Sequence, residues 1–347
     1  MEVVNKMAKT ILGVDIGYDS LKLALVNGTQ VRKTAIIPMP QHLVREGRVV
    51  STETMGELIR RSMKENGIRC GRAAIALPNE TVFIRGVTMP QMTVDQLEYN
   101  LPFEFRDYIT EELKDYYYDY AMISTPEELA ISAGESGGEE ALAGGSMDLM
   151  AVAAPKTLIE ESRELLHKAG LKMVKAAPTV SAYQALIRAT QGKDEEPREY
   201  CILDLGYQAI RMYMFHGDKH MVTRVLEIGM NSLDQVISEA YSVDIHLAHT
   251  YLLSNYENCR NGETCMNAYG NITVELMRAL NFYRFSNPDS HLQDIWVCGG
   301  GAVIEPLRQS IAETLDLKIH FADELIPGSA AVENDYALLQ AIGIAIN

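Results

Sequence analysis

Apolar positions fall into short β-rich runs that alternate with helical stripes. Thr10 to Ile16 is one such run, Gly17 to Ser20 is turn chemistry, and Leu21 to Val26 is a second strand. The segment therefore predicts a hairpin with an Asp just ahead of its turn glycine. Met55, Leu58, Ile59 and Met63 make one stripe of a helix over 51–66. Strands are expected over 72–77, stopped by Pro78, and over 82–89. Thr93 and Gln96 have capping-box spacing and start a helix that Pro102 breaks. An aromatic strand over 116–123, a strand over 147–153, a helix over 156–169 ended by Gly170 and a strand over 171–175 follow. Between them, 125–146 is rich in Gly, Glu, Ala and Ser and reads as an acidic surface loop. A second cycle opens at Tyr200 with strand, Asp-x-Gly turn and strand, then a strand over 221–228 and helices over 232–240, 244–256 and 271–285. A strand over 294–297, a helix over 304–315 and an apolar helix over 335–346 close the chain.

Helices of ordinary length between strands predict α/β layers. The hairpin motif occurs twice, as Asp15-Ile16-Gly17 and Asp204-Leu205-Gly206, 189 residues apart. Two similar halves with a cleft between them follow. For either copy alone, Asp-Gly also reads as plain hairpin chemistry. Together the two turns predict a polyphosphate clamp, in which backbone N–H groups approach phosphate and each carboxylate holds a hydrated Mg²⁺. A third cluster, Gly299-Gly300-Gly301, follows a short apolar strand and precedes a helix, so a flat ligand can lie against backbone there.

Composition narrows this picture. The 347 residues carry 31 Lys and Arg against 47 Asp and Glu, a net charge of −16, and 47% are hydrophobic. That content builds folded cores, and the length suits about two domains at roughly 150 residues each. The acidic balance argues against nucleic-acid binding and against direct adsorption to anionic lipid. Five cysteines at 70, 201, 259, 265 and 298 form no CxxC pair and read as reduced thiols. The sequence has no run of 18 apolar residues and no secretory h-region, which predicts a cytoplasmic protein. Tyr116, Tyr117, Tyr118 and Tyr120 read as half-buried sheet, and the 17 methionines as core filler. His246 and His249 lack a carboxylate at matching spacing, which speaks against a metal site.

The order of hairpin, hairpin and GGG loop resembles the actin, sugar kinase and Hsp70 superfamily. Within it the chain resembles the PilM family of type IV pilus assembly proteins, relatives of FtsA. The matching segments are GVDIGYDSLKLALV, LPFEFRDYI with DYYYDYAMI, GDKHMVTRVLEIGMNSLDQVI, ELMRALNFYRFSN, IWVCGGGAVIEPLRQSI and ALLQAIGIAI. This implies an actin-like ATPase fold of the duplicated ribonuclease H-like βββαβα type, with two domains around a nucleotide cleft and an inserted α+β (SHS2-type) subdomain. The implied units are 8–81 and 176–199 (first domain), 82–175 (insertion), 200–328 (second domain) and 329–347 (a helix returning to the first domain). The implied nucleotide site comprises Asp15, Gly17, Tyr18, Asp19, Ser20, Lys22, Asp204, Gly206, Tyr207, Gln208, Gly229, Gly299, Gly300 and Gly301, with ATP and with Mg²⁺ held through water by Asp15 and Asp204. The implied partner is the short cytoplasmic tail of the inner-membrane protein PilN, in a groove that the insertion helps to form. Other assembly-platform and motor proteins, and further copies of this chain, are also implied. An acidic body suits a basic tail and a peripheral position at the inner membrane through that partner.

Several positions depart from the superfamily pattern. Tyr18 replaces a small residue, Ile210 stands where a hydroxyl is expected, and Gly229-Met230 replaces Gly-Gly. Ala248 to Leu252 lacks both charges of the adenosine element, and 174–181 holds no carboxylate for the attacking water. No catalytic residue can be named, so the expectation is a scaffold with weak or no hydrolysis. An actin-like filament of plasmid segregation or cell division is the alternative. A sugar kinase needs a catalytic Asp, for which no candidate exists.

Overall fold

The computed structural model describes residues 10–45, 47–123, 145–191, 197–327 and 335–346. Most of the expected loop over 125–146 lies outside them. The first half begins with strands β1 (Ile11–Ile16), β2 (Ser20–Asn27) and β3 (Gln30–Pro38), a small hairpin of β4 (Val44–Arg45) and β5 (Arg48–Val49), helix α1 (Thr52–Glu65) and β6 (Arg72–Leu77). Then come β7 (Phe83–Pro90), α2 (Val94–Asn100), β8 (Tyr116–Met122), β9 (Ser146–Pro155), α3 (Lys156–Lys168), β10 (Lys172–Pro178) and α4 (Thr179–Thr190). The second half has β11 (Glu199–Leu205), β12 (Ile210–His216), β13 (Lys219–Leu226), α5 (Asn231–Tyr241), α6 (Ile245–Ser254), α7 (Glu263–Ser286), β14 (Asp294–Cys298), α8 (Glu305–Leu315), β15 (Lys318–Phe321) and α9 (Leu339–Ala345).

The two halves repeat one topology. The first sheet has the order β3-β2-β1-β6-β10 and the second β13-β12-β11-β14-β15. In both, the first three strands run antiparallel and the last two join in parallel. A separate sheet, β7-β9-β8, is threaded between β6 and β10. Because β10 pairs with β6, the expected insertion over 82–175 contains a strand of the first sheet. Helix α3 packs on α1, where a Cβ at Gly56 would overlap Lys168 and the Leu165 carbonyl.

Several elements follow from local chemistry. Ser51 caps α1 by accepting from the Thr54 N–H at 3.2 Å, and Met55, Leu58, Ile59 and Met63 are buried. The Thr93–Gln96 capping box forms in both directions. Pro102 ends regular helix at Asn100, and one 3₁₀ segment carries Leu101 to Phe105. Strands β3 and β15 and helix α4 have no counterpart in the sequence expectations. β3 is a mixed-polarity edge strand, and α4 starts directly after Pro178.

Three apolar cores stack between the layers. One lies between α1, α3 and the first sheet, and another between the second sheet and α5 to α8. The third joins the halves, with α4 and α9 sandwiched between β1, β2 and β6 on one side and β11, β12 and β14 on the other. Helix α9 lies so close to β1 and α4 that a Cβ at Gly13 would overlap the Ala341 carbonyl, and one at Gly343 the Ala182 carbonyl. Among the described residues no helix is long and apolar enough to cross a membrane. Gly13→Ala should destabilise the protein by about 3 kcal/mol through overpacking. Gly270→Ala, on an open face of α7, should raise stability by about 0.5–1 kcal/mol. Thermal melts of the two variants against wild type check this ordering.

Candidate functional site

The matching topology brings the two Asp-x-Gly turns to face one cleft. Its cavity volume is ≈ 270 Å³. Asp15, the penultimate residue of β1, lies opposite Lys22 of β2, and Asp204, the penultimate residue of β11, lies opposite Arg211 of β12. Each carboxylate therefore has a cation as cross-strand neighbour, seven residues on in both halves. Asp15 and Asp204 are each 6% exposed, so these cations are needed to offset the cost of burial.

The Lys22 Nζ lies 3.0 Å from Asp15 Oδ2. Burial pulls the Lys22 pKa down, but Asp15 and Asp204 outweigh it and the net shift is upward. Asp204 goes up: burial pushes it that way, Arg211 and Lys22 oppose, and Asp15 and Glu80 add to the rise. Arg211 donates through Nε to Glu80 in the opposite half, so this ion pair closes one side of the cleft. Gln340 of α9 donates at 2.9 Å to Asp204 Oδ2 and at 3.0 Å to the Tyr183 hydroxyl. The C-terminal helix thereby holds a carboxylate of the second half.

Twelve of the fourteen expected residues line the cleft: Asp15, Gly17, Tyr18, Asp19, Ser20, Lys22, Asp204, Gly206, Tyr207, Gln208, Gly299 and Gly300. Gly229 and Gly301 are not among the lining residues. A Cβ at Gly229 would overlap the Tyr207–Ala209 backbone, and one at Gly301 the Met230 side chain, so both serve close packing. Gly299 has φ +84 and sits against Asp204 and the Leu205 carbonyl, which leaves no room for a side chain. At Gly300 a Cβ would meet nothing within 4 Å, so the cleft wall there is flat and open.

Some expected roles change. The Gly17 N–H donates to Ser20 O at 3.0 Å and closes its own turn. At the start of α5, the Met230 and Asn231 N–H groups donate to the Gly206 and Tyr207 carbonyls, each at 3.0 Å. That helix start is tied to the second turn instead of pointing free donors at a ligand. Ile210 is fully buried in the core behind β12, so a hydroxyl there would face apolar side chains. Thr179, at the start of α4, lines the cleft, and its hydroxyl donates to Leu77 O at 3.1 Å.

Sequence reasoning missed Glu80, Thr179, Arg211, His249, Arg260 and Gln340, all of which line the cleft. Arg211 had a legible signal in its spacing from Asp204. His249 had none. It lies between Asp234 of α5, with Nδ1 2.9 Å from Oδ2, and Asp19 of the first turn, with Nε2 3.1 Å from Oδ1. Hydrogen bonds to Asp19 and then Asp234 raise its pKa to about 10 against the opposing effect of burial. Among the described residues no group of three or more His, Cys, Asp or Glu side chains is placed to hold a metal directly. The two buried carboxylates facing the cleft are oxygen donors of the kind that could hold a hydrated divalent cation through water.

A family model described as type IV pilus assembly protein PilM matches residues 13–327. The chain belongs to the PilM family. A chain of a PilM-PilN type IV pilus biogenesis complex superposes with a TM-score of 0.78 at 23% identity, covering 96% of this chain and 97% of that one. The ethanolamine utilization protein EutJ of Carboxydothermus hydrogenoformans gives 0.58 at 13% identity, over 99% and 93%. MreB5 of Spiroplasma citri bound to ADP gives 0.51 at 12%, over 97% and 96%. This PilM-family chain thus has the actin-like ATPase fold expected from its two hairpins.

The bridging histidine predicts a pH dependence. Its folded pKa lies above the usual 6.5, so its stabilising contribution is complete below pH 6.5 and is lost as pH rises through about 10. The thermal midpoint of wild type should therefore fall relative to that of His249→Gln between pH 7 and pH 10. Parallel melting curves of the two proteins over this range would contradict the bridge.

Proposed function

We propose that this protein is a cytoplasmic scaffold of a type IV pilus, or type II secretion-like, assembly platform, and that it holds the short cytoplasmic tail of a PilN-like inner-membrane protein. The observation that carries this reading is the near full-length likeness to a chain of a PilM-PilN complex, together with the family match. The filament-forming alternative is not favoured. In this reading the protein reaches the membrane through its partner and joins other platform and motor proteins there.

The small unit built on β7, β8 and β9 supports a peptide-docking role. Leu97, Leu101, Phe105 and Ile109 turn inward to its core. Tyr99, Phe103 and Tyr108 of the same segment stay exposed. The Tyr99 and Phe103 rings meet edge to face at 5.9 Å, and the Arg85 guanidinium covers Tyr108 at 3.9 Å. Residues 93–112 carry Asp95, Glu98, Glu104, Asp107, Glu111 and Glu112 against Arg106 alone. An exposed aromatic face with an acidic rim fits an apolar, basic tail.

The cleft is read as a site for ATP with Mg²⁺. Asp15 and Asp204 would hold the hydrated metal, Lys22 and Arg211 would supply positive charge to the phosphates, and the Gly299–Gly300 wall would leave room for the flat part of the nucleotide. The metal would supply charge neutralisation. Residues 174–181 offer no carboxylate to orient a water, so in this reading nucleotide acts structurally, with weak or no hydrolysis.

Calorimetric titration with a synthetic PilN-like tail tests the docking. Wild type should bind it, and a Tyr99→Ala/Phe103→Ala variant should bind at least about tenfold more weakly with an unchanged melting temperature. Equal affinities for the two proteins would remove this face from the interface. No binding by wild type would overturn the reading.

A further inference from the structure

His249 stands out among the cleft residues because both of its ring nitrogens face carboxylates. Nδ1 lies 2.9 Å from Asp234 Oδ2, and Nε2 lies 3.1 Å from Asp19 Oδ1. A carboxylate only accepts, so each nitrogen must donate, and a ring that donates twice is an imidazolium. The two ends differ. Asp234 is 0% exposed and on the same half as His249, whereas the Asp19 side chain is 41% exposed and belongs to the first hairpin of the opposite half. Burial makes the Asp234 end permanent, because separating them would leave a buried carboxylate without its cation. The Asp19 end faces solvent and the cleft, and it is cheap to exchange. The other titratable group facing the ring is Tyr207 of the second hairpin, edge-on at 5.5 Å. The Tyr207 hydroxyl is held neutral, its pKa raised by burial and then by Asp234.

We propose that His249 is an anion-binding residue of the cleft, and that Asp19 is the internal anion it releases when a polyphosphate occupies the first hairpin. The inference rests on the polyphosphate reading of the cleft and adds a residue and a regulation to it. A phosphate oxygen beside Gly17 and Lys22 would take the Nε2–H donor from Asp19, exchanging one charge-assisted hydrogen bond for another. Since Asp19 and His249 lie on opposite halves, the exchange also removes a tie across the cleft. The exposed Gln41–His246 contact, at 3.1 Å, is a further tie between the halves. Ligand binding is thereby linked to how firmly the two halves hold together, through a bond that the ligand and Asp19 cannot both have.

The test combines ring ¹⁵N NMR with calorimetry on the full chain. His249, assigned by its loss in His249→Gln, should be doubly protonated at pH 8. Asp19→Asn removes the competing anion and should tighten Mg-ATP binding about tenfold, while His249→Gln should weaken it about tenfold. Asparagine at 19 keeps the hairpin's polarity and the Asp234–His249 pair, so this variant is expected to fold. Glutamine at 249 still donates to Asp234 but removes its cation, so the Asp19→Asn arm decides the proposal if His249→Gln is destabilised. Weaker or unchanged binding by Asp19→Asn, or a neutral His249 ring at pH 8, would overturn the proposal. Tripolyphosphate serves as the second probe. If it perturbs the His249 ring signals while Mg-ATP gives no heat, the ATP reading fails and His249 stands. If neither ligand binds, the inference falls with it.

Discussion

Two buried carboxylates facing one cleft set the terms for this molecule. Asp15 and Asp204 are nearly inaccessible, and like charges held close together in a poorly solvated space repel strongly. The fold answers with one cation per carboxylate, delivered by the same cross-strand register in each half. It adds an amide from α9 on Asp204 and an ion pair from Arg211 to Glu80 across the cleft. These bonds require the two sheets to keep their mutual placement. The layer of α4 and α9 between them supplies it, with Gly13 and Gly343 admitting the last helix to near backbone contact.

In the proposed reading, the same arrangement separates a structural cleft from a motor. A motor site directs free backbone donors and an oriented water at the terminal phosphate. Here the start of α5 is bonded to the second turn, the Gly17 N–H closes its own hairpin, and Thr179 donates to Leu77. What stays directed at the cleft is charge: Lys22, Arg211, His249 and Arg260 against Asp15, Asp19, Asp204 and Glu80. Such a set can hold an anion with a metal and can couple that ligand to the contact between the halves. The β7-β9-β8 unit presents aromatic rings that its own core does not need.

Much of this was legible along the chain. The Asp-x-Gly hairpin reports the duplicated topology because it recurs ahead of a glycine cluster, whereas either copy alone is plain hairpin chemistry. The α1 stripe and the Thr93–Gln96 box are local rules that tertiary packing left intact. Strand β3 was silent, since an edge strand needs no apolar alternation. The fifth strand of the first sheet was assigned with the insertion because pairing with β6 is a long-range fact that local pattern does not carry. His249 was read by its own helix alone. Its carboxylates come from α5 and from a hairpin some 230 residues earlier in the sequence, and no spacing rule spans such distances.

The central claim is that the cleft is charge-balanced for holding a nucleotide and does not turn it over. Steady-state phosphate release by the purified protein with Mg-ATP, alone and with a PilN-like tail peptide, measures it most directly. The account predicts release at the background rate in both conditions, with Asp204→Asn indistinguishable from wild type. Sustained multiple turnover that Asp204→Asn abolishes would contradict it.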